Sequence, residues 1–181
     1  MKESIPNAVI EISNFCEHNK LNVQFSRNEP ASNCKDASSK RKRHGRVGIP
    51  LFDELKSSIE YYYDNNGEKV IIATHYRGNQ MMDRALIEKH IEKKIEKTAV
   101  QIQRLEKDEL LSRFGMQFGT VNPILLEVRS QGKIRQFFDE SLFKPGTMMT
   151  NAGNHTWAIE FSSDQLAAAI KRKSVLRFAY E

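Results

Sequence analysis

Lys56 stands in FDELKSSIEYY, behind a pair of acids and ahead of alternating apolar residues, so it enters a strand at its first positions. A lysine there can lean into a cavity and grip a carbonyl oxygen with its ammonium, or lie in solvent as most lysines do. Two glycine-containing loops could complete a polar site. In GTVNPILLE, Gly119 reaches backbone angles closed to other residues, while Pro123 fixes its own φ and biases Asn122 towards extended geometry. With Thr120 and Val121 between them, the segment either presents N–H and C=O groups to a small polar ligand or is a plain turn leading into a strand ILLEVRS. In TNAGNHT, the residues Asn151, Gly153, Asn154 and His155 either wall a pocket or build a β-turn.

Other chemistries find no support. There is no GxSxG elbow, no HExxH and no GxxxxGK[ST] loop, and His18, His44, His75, His90 and His155 are scattered without ligand spacing. No serine, cysteine or histidine stands in an activating arrangement along the chain. Cys16 and Cys34 form neither a CxxC pair nor a metal-ligand set and are expected to be packing residues. A disulfide, a zinc site and an NTP-cradling loop are therefore not expected.

The chain has 181 residues, 39% hydrophobic and 28% charged, with a formal net charge of +5. That length fits one domain with one sizeable core. No apolar run nears the roughly 20 residues that span a bilayer, and the N-terminus lacks the order of a secretory signal, so no membrane partner and a cytoplasmic location are expected. The charge is uneven: KRKRHGR holds Lys40, Arg41, Lys42, Arg43 and Arg46, which either meet phosphates or form a solvated loop.

Hydrophobic periodicity predicts helices over about 4–19, over 34–44 with a cap at Ser32 or Asn33, from Met82 through Ile91, over LEKDELLSRF ending near Gly115, and over SSDQLAAAIKRK with a cap at Ser162 or Ser163. Strands are expected over LNVQFSRN, SSIEYYYDN, KVIIATHYRG, TAVQIQ, ILLEVRS, IRQFFDES, MMTNAG and TWAIEF. The mixture lacks a βαβ rhythm, which gives an α+β single domain whose mixed, largely antiparallel, barrel-like sheet is flanked by helices.

Taken in order, Pro30 to Ala37, the lysine of ELKSSIEYY, IIATHYRGNQMMD, the GxxxP loop of FGTVNPILLE, IRQFFDESL and TNAGNHTWAIEFSSDQL resemble the YbaK-type aminoacyl-tRNA editing family, which includes the insertion domain of bacterial prolyl-tRNA synthetases. The resemblance runs from about Ile5 to Ile170. It implies a deacylase that hydrolyses the ester of mischarged tRNA without metal or cofactor. By position, the family's functional lysine falls on Lys56 and its pocket-shaping loop on Gly119 to Pro123. Asn151, Gly153 and His155 would add to the substrate pocket, and Lys40, Arg41, Lys42, Arg43 and Arg46 would meet tRNA phosphates. Water attack would be assisted by the substrate's own neighbouring hydroxyl, with no acyl-enzyme. The alternative is a non-catalytic module, alone or as a domain of a longer protein, that binds an aminoacyl-like ligand or a partner protein. Neither the edited amino acid nor an oligomeric state follows from the sequence.

Overall fold

The computed structural model describes residues 4–64, 66–95 and 99–181. In chain order its elements are α1 (Asn7–His18), β1 (Gln24–Arg27), α2 (Cys34–Lys40), a short hairpin of β2 (Lys42–Arg43) and β3 (Arg46–Val47), β4 (Leu55–Asp64), β5 (Lys69–Arg77), β6 (Met81–Met82) and α3 (Arg84–Ile95). Next come β7 (Ala99–Arg104), α4 (Lys107–Phe114), α5 (Pro123–Ser130), β8 (Arg135–Asp139), β9 (Thr147–Asn154), β10 (Trp157–Ser162), α6 (Ser163–Ala169), β11 (Lys173–Leu176) and β12 (Ala179–Tyr180).

One sheet runs β11-β8-β5-β4-β7 and a second β1-β10-β9. The β4–β5 and β4–β7 pairs are antiparallel, β5–β8 and β8–β11 parallel, and the second sheet is wholly antiparallel. The mixed α+β architecture is as the sequence pattern implies. Among the described residues, however, no barrel closes, and the two main sheets meet through a single parallel bridge, Glu54 to Met149.

Period-2 alternation on β4 sends Leu55, Ile59 and Tyr61 into the larger core, with α1, α4, α5 and α6, and sends Tyr62 into a smaller core with Ile87 and Ile91 of α3. The sheet is thus covered on both faces.

Four expectations need correction. ILLEVRS is not a strand: Asn122 caps α5 by accepting from the N–H groups of Ile124 and Leu125 at 2.8 and 2.9 Å, and Pro123 occupies the first helical turn. An Asn-Pro pair is a start signal for a helix, because the asparagine oxygen satisfies orphan donors and proline lacks the N–H that has no partner there. The helix at 34–44 stops at Lys40, where Arg41 turns extended and the chain reverses at His44 and Gly45 into β3. Met82 belongs to β6 rather than to α3. The last helix ends at Ala169, capped by a Ser162–Gln165 box, and its basic tail leaves for β11.

Candidate functional site

The expected site residues come together only in part, around one cavity of about 280 Å³. Lys56, Gly119, Val121, Asn151 and His155 line it, as do Arg41, Glu54, Ser57, Phe118 and Thr150. The cavity lies at the start of β4, where the sheet is unfinished. Pairing of β4 with β7 begins at Glu60, opposite Arg104, so residues 55–58 have β5 on one edge and no ladder partner on the other among the described residues. The carbonyl of Ile59 faces that second edge, accepting from Leu105 N–H at 3.1 Å, and the carbonyl of Leu55 faces it too, accepting from the Thr150 hydroxyl at 3.1 Å. Strand alternation therefore turns the main-chain N–H and C=O of Ser57 to the same open edge.

Lys56 projects to the other side of β4. Its Nζ donates to the Gln80 carbonyl at 2.8 Å and lies 5.4 Å from the centre of the Tyr76 ring, and among the described residues no carboxylate pairs with it. Gly119 has φ +81° and offers its carbonyl to Asn151 Nδ2 at 3.4 Å; Asn151 also reaches the Val121 carbonyl at 3.3 Å. Asn151 thus ties the glycine loop to β9, and His155 approaches from the β9–β10 turn.

Thr120, Asn122, Pro123 and Gly153 do not line the cavity. Thr120 donates to the Gln117 carbonyl, Asn122 caps α5 and donates to the Asn151 carbonyl at 2.6 Å, and Pro123 starts the helix. Gly153, at φ +72°, is a close-packing point: a Cβ there would stand 2.4 Å from Leu125 and 2.8 Å from Ala8. These residues build the wall from behind.

The basic run also divides. Arg41 is buried and pairs with Glu54 at 2.8 Å; burial pushes the Glu54 carboxyl above its ordinary range against the pull of that arginine. Arg43 pairs with Asp53 and with Glu160, and Lys40 with Asp36. Lys42 and Arg46 are exposed. What the sequence pattern does not reveal lies at the cavity mouth: Phe118, 46% exposed, has the Lys107 Nζ and the Arg104 guanidinium 5.4 and 5.9 Å from its ring centre. An aromatic beside a glycine loop was a readable signal; its two cations were not, since their approach depends on how β7 and α4 pack.

Nor does any local pattern signal a hydroxyl joined to a histidine, yet Ser57 Oγ lies 2.8 Å from His75 Nδ1. The pair is poor at proton abstraction. Burial pushes His75 down to about 3, and its other nitrogen meets the amide of Gln136, not a carboxylate. Cys34 lines the cavity as a thiol, pushed up to about 12 chiefly by burial, and Cys16 sits in the core, pushed up to about 11. Among the described residues no three His, Cys, Asp or Glu side chains converge as a metal site, and no helix is long and apolar enough to cross a membrane.

The chain matches no protein-family sequence model and no curated protein sequence. Solved structures do match. A hypothetical protein is 16% identical with a TM-score of 0.70, covering 94% of this chain and 99% of its own. A candidate trans-editing enzyme for prolyl tRNA synthetase is 15% identical with a TM-score of 0.65, covering 98% and 100%. A candidate signal transduction protein from Marinobacter aquaeolei is 11% identical with a TM-score of 0.63, covering 98% of this chain but 31% of that one. At such identities the likeness is one of architecture: the chain shares its fold with these structures, the candidate trans-editing enzyme among them.

Proposed function

We propose that the protein hydrolyses the ester of mischarged aminoacyl-tRNA. The observation that carries this reading is the convergence of Lys56, Gly119, Val121, Asn151 and His155, from separate stretches of sequence, on one cavity at the open edge of β4. The likeness in fold to a candidate trans-editing enzyme supports it.

An aminoacyl ester is already activated, so a site needs to orient it, admit one water and stabilise the developing oxyanion. The Ser57 N–H at the open edge is the donor for that oxygen, and the Lys56 ammonium, once released from the Gln80 carbonyl, supplies positive charge to it. Gly119, lacking a side chain, lets the acyl group approach the loop. Because the Ser57–His75 pair is a weak base, the attacking water is oriented by the hydroxyl next to the ester on the terminal ribose, and no acyl-enzyme forms. Phe118, flanked by Arg104 and Lys107, offers a stacking face with cations for the terminal nucleotide, and Lys42 and Arg46 supply the exposed charge of the basic run.

A panel of mischarged tRNAs incubated with the purified protein tests the reading directly. The expected result is release of one class of amino acid, slowed at least about tenfold, or about 1.4 kcal/mol of barrier, when the terminal ribose lacks the neighbouring hydroxyl. No release from any member, with tight binding retained, favours the second reading, a binding module. That reading has its own support: Lys56 is already held by the Gln80 carbonyl, and the match to the Marinobacter protein covers under a third of that longer chain.

A further inference from the structure

The cavity contains a hydroxyl whose proton is committed elsewhere. Ser57 and His75 are directly opposed on β4 and β5, and since the main-chain groups of Ser57 turn to the open edge, they form the non-hydrogen-bonded kind of pair, in which side chains approach most closely. His75 is fully buried, stacked on Phe138 at 4.4 Å, with Nε2 2.9 Å from Gln136 Oε1. Gln136 Nε2 in turn donates to the Pro123 carbonyl at 3.3 Å and to Glu127 Oε2 at 3.2 Å, and Glu127 Oε1 accepts from Lys171 N–H at 3.2 Å.

The direction of each proton follows. A carbonyl can only accept, so the nitrogen of the Gln136 amide faces Pro123 and its oxygen faces His75. His75 Nε2 therefore carries the ring proton, Nδ1 is bare, and the Ser57 hydroxyl must donate inward. Burial, by holding His75 down to about 3, keeps the ring in this single form across neutral pH.

Thr150 repeats the pattern by a separate route. Its hydroxyl proton goes to the Leu55 carbonyl, which also can only accept. Ser57 and Thr150 both belong to the cavity wall, Thr150 with only 1% of its surface exposed, and their hydroxyl oxygens have only lone pairs left to give a ligand.

We infer that Ser57 and Thr150 form an acceptor-only subsite for the α-ammonium of an aminoacyl group, with His75 and Gln136 as positioning residues that hold the Ser57 proton out of the cavity. The identity of the ligand rests on the deacylase reading above; the acceptor character of the two oxygens does not. Covalent geometry supports the assignment. The N–Cα–Cβ–Oγ run of Ser57 and the O=C–Cα–N run of an aminoacyl group each separate two heteroatoms by three bonds. One residue can thus give its N–H to the ester carbonyl and its Oγ to the neighbouring ammonium. A deamino or N-blocked acyl group cannot make the second of these hydrogen bonds.

The test uses two stable amides, 3′-alanylamido- and 3′-propionylamido-3′-deoxyadenosine, which differ by the ammonium alone, with binding measured by calorimetry. Wild type is expected to favour the alanyl compound at least about tenfold, as for a hydrogen bond to a charged group. Ser57→Ala should bring the two within about twofold by weakening only the alanyl compound. Thr150→Val, isosteric and on another strand, should reduce the preference in the same sense and serves if the Ser57 variant fails to fold. His75→Phe keeps the ring against Phe138 but frees the Ser57 proton; it should lower the preference with Ser57 still present, which a merely structural role would leave unmoved. An unchanged preference in both folded Ser57→Ala and Thr150→Val, no preference in wild type, or no binding of either amide overturns the inference. Preference for the alanyl amide in a protein that cleaves no mischarged tRNA leaves the subsite standing and removes the deacylase reading. Cleavage of alanyl and propionyl esters without preference does the reverse.

Discussion

The two halves of β4 share one backbone conformation and differ in what borders them. From Glu60 onward the strand is paired with β5 on one side and β7 on the other, and its side chains feed two cores. From Leu55 to Ser58 it is paired, among the described residues, with β5 alone, and the second edge faces the cavity. A strand edge carries unpaired N–H and C=O groups that must find partners. In the finished half they find another strand; in the open half the Leu55 carbonyl takes the Thr150 hydroxyl and the groups of Ser57 face the cavity. The site is therefore the place where the sheet stops, and loops from distant parts of the chain take the position a sixth strand would have.

If that division is right, damage in the open half should fall on turnover and damage in the finished half on stability. Lys56→Ala should show the largest effect on turnover, a fall of about 10²- to 10³-fold, comparable with loss of one preorganised oxyanion donor. Its neutral partners, the Gln80 carbonyl and the Tyr76 ring, leave no buried charge behind, so unfolding free energy should change by no more than about 1 kcal/mol. Turnover and thermal unfolding measured on the same preparation check both. A folded variant with unchanged turnover would remove Lys56 from the mechanism.

Arg41→Ala should fall mainly on stability although Arg41 lines the cavity, because its guanidinium is committed to Glu54. It strands Glu54, 2% exposed, and breaking a buried pair in this way costs about 3–5 kcal/mol. The deficit should shrink as pH falls and Glu54, its carboxyl already raised by burial, takes a proton. Denaturant unfolding at several pH values measures this. In contrast, Lys42→Ala with Arg46→Ala should leave stability alone and lower the slope of tRNA affinity against salt by about one for each phosphate that is no longer neutralised. An unchanged slope would make the exposed part of the run a solvated loop.

Gly119→Val should cost about 1–2 kcal/mol, because an L-residue at φ +81° is strained, and should slow turnover about tenfold by pushing a branched side chain into the cavity. The cost is conformational, since a Cβ there would meet His155 at an ordinary 3.7 Å. Gly119→Ala should share most of the stability loss and less of the turnover loss. Wild-type turnover in folded Gly119→Val would make the loop a turn only.

The sequence was most legible where chemistry and local backbone coincide. Lys56 at a strand entry, Gly119 in its loop, and the Asn151 and His155 turn could each be named, because each depends on residues a few positions away. The Asn122–Pro123 start of α5 was equally local, but the apolar run behind it fits a strand as well as a helix, and periodicity over eight residues does not decide between them. Long-range pairing was out of reach. Ser57 meets His75, and His75 meets Gln136 sixty-one positions further on, through strand order alone. Arg41 and Arg43 read as free cations until β4 and β10 bring Glu54 and Glu160 beside them. The cavity mouth at Phe118 needed β7 and α4 in place.

The smallest effect should come from the finished half. Glu60 is fully buried; its Oε1 takes a 3.4 Å bond from Ser58 and lies 4.0 Å from Arg84, and its Oε2 has no hydrogen-bond partner among the described residues. Burial raises its carboxyl above the ordinary range, more than the pull of Arg84 and Arg104 lowers it. The folded chain therefore binds this proton more tightly than the unfolded chain, so wild-type stability from this group is fullest below the ordinary carboxylate range and declines as pH rises through the raised value. Glu60→Gln keeps the shape, cannot ionise, and keeps a carbonyl oxygen to accept from Ser58. Its stability should match wild type in acid, exceed it increasingly as pH rises through that window, and stay ahead at neutral pH, as denaturant midpoints across a pH series would show. Turnover should remain within about twofold, since this side chain faces the small core and not the cavity. A stability difference that ignores pH would mean Glu60 is held neutral throughout. Loss of turnover with the fold intact would extend the site into the paired half of β4 and dissolve the division between its two ends.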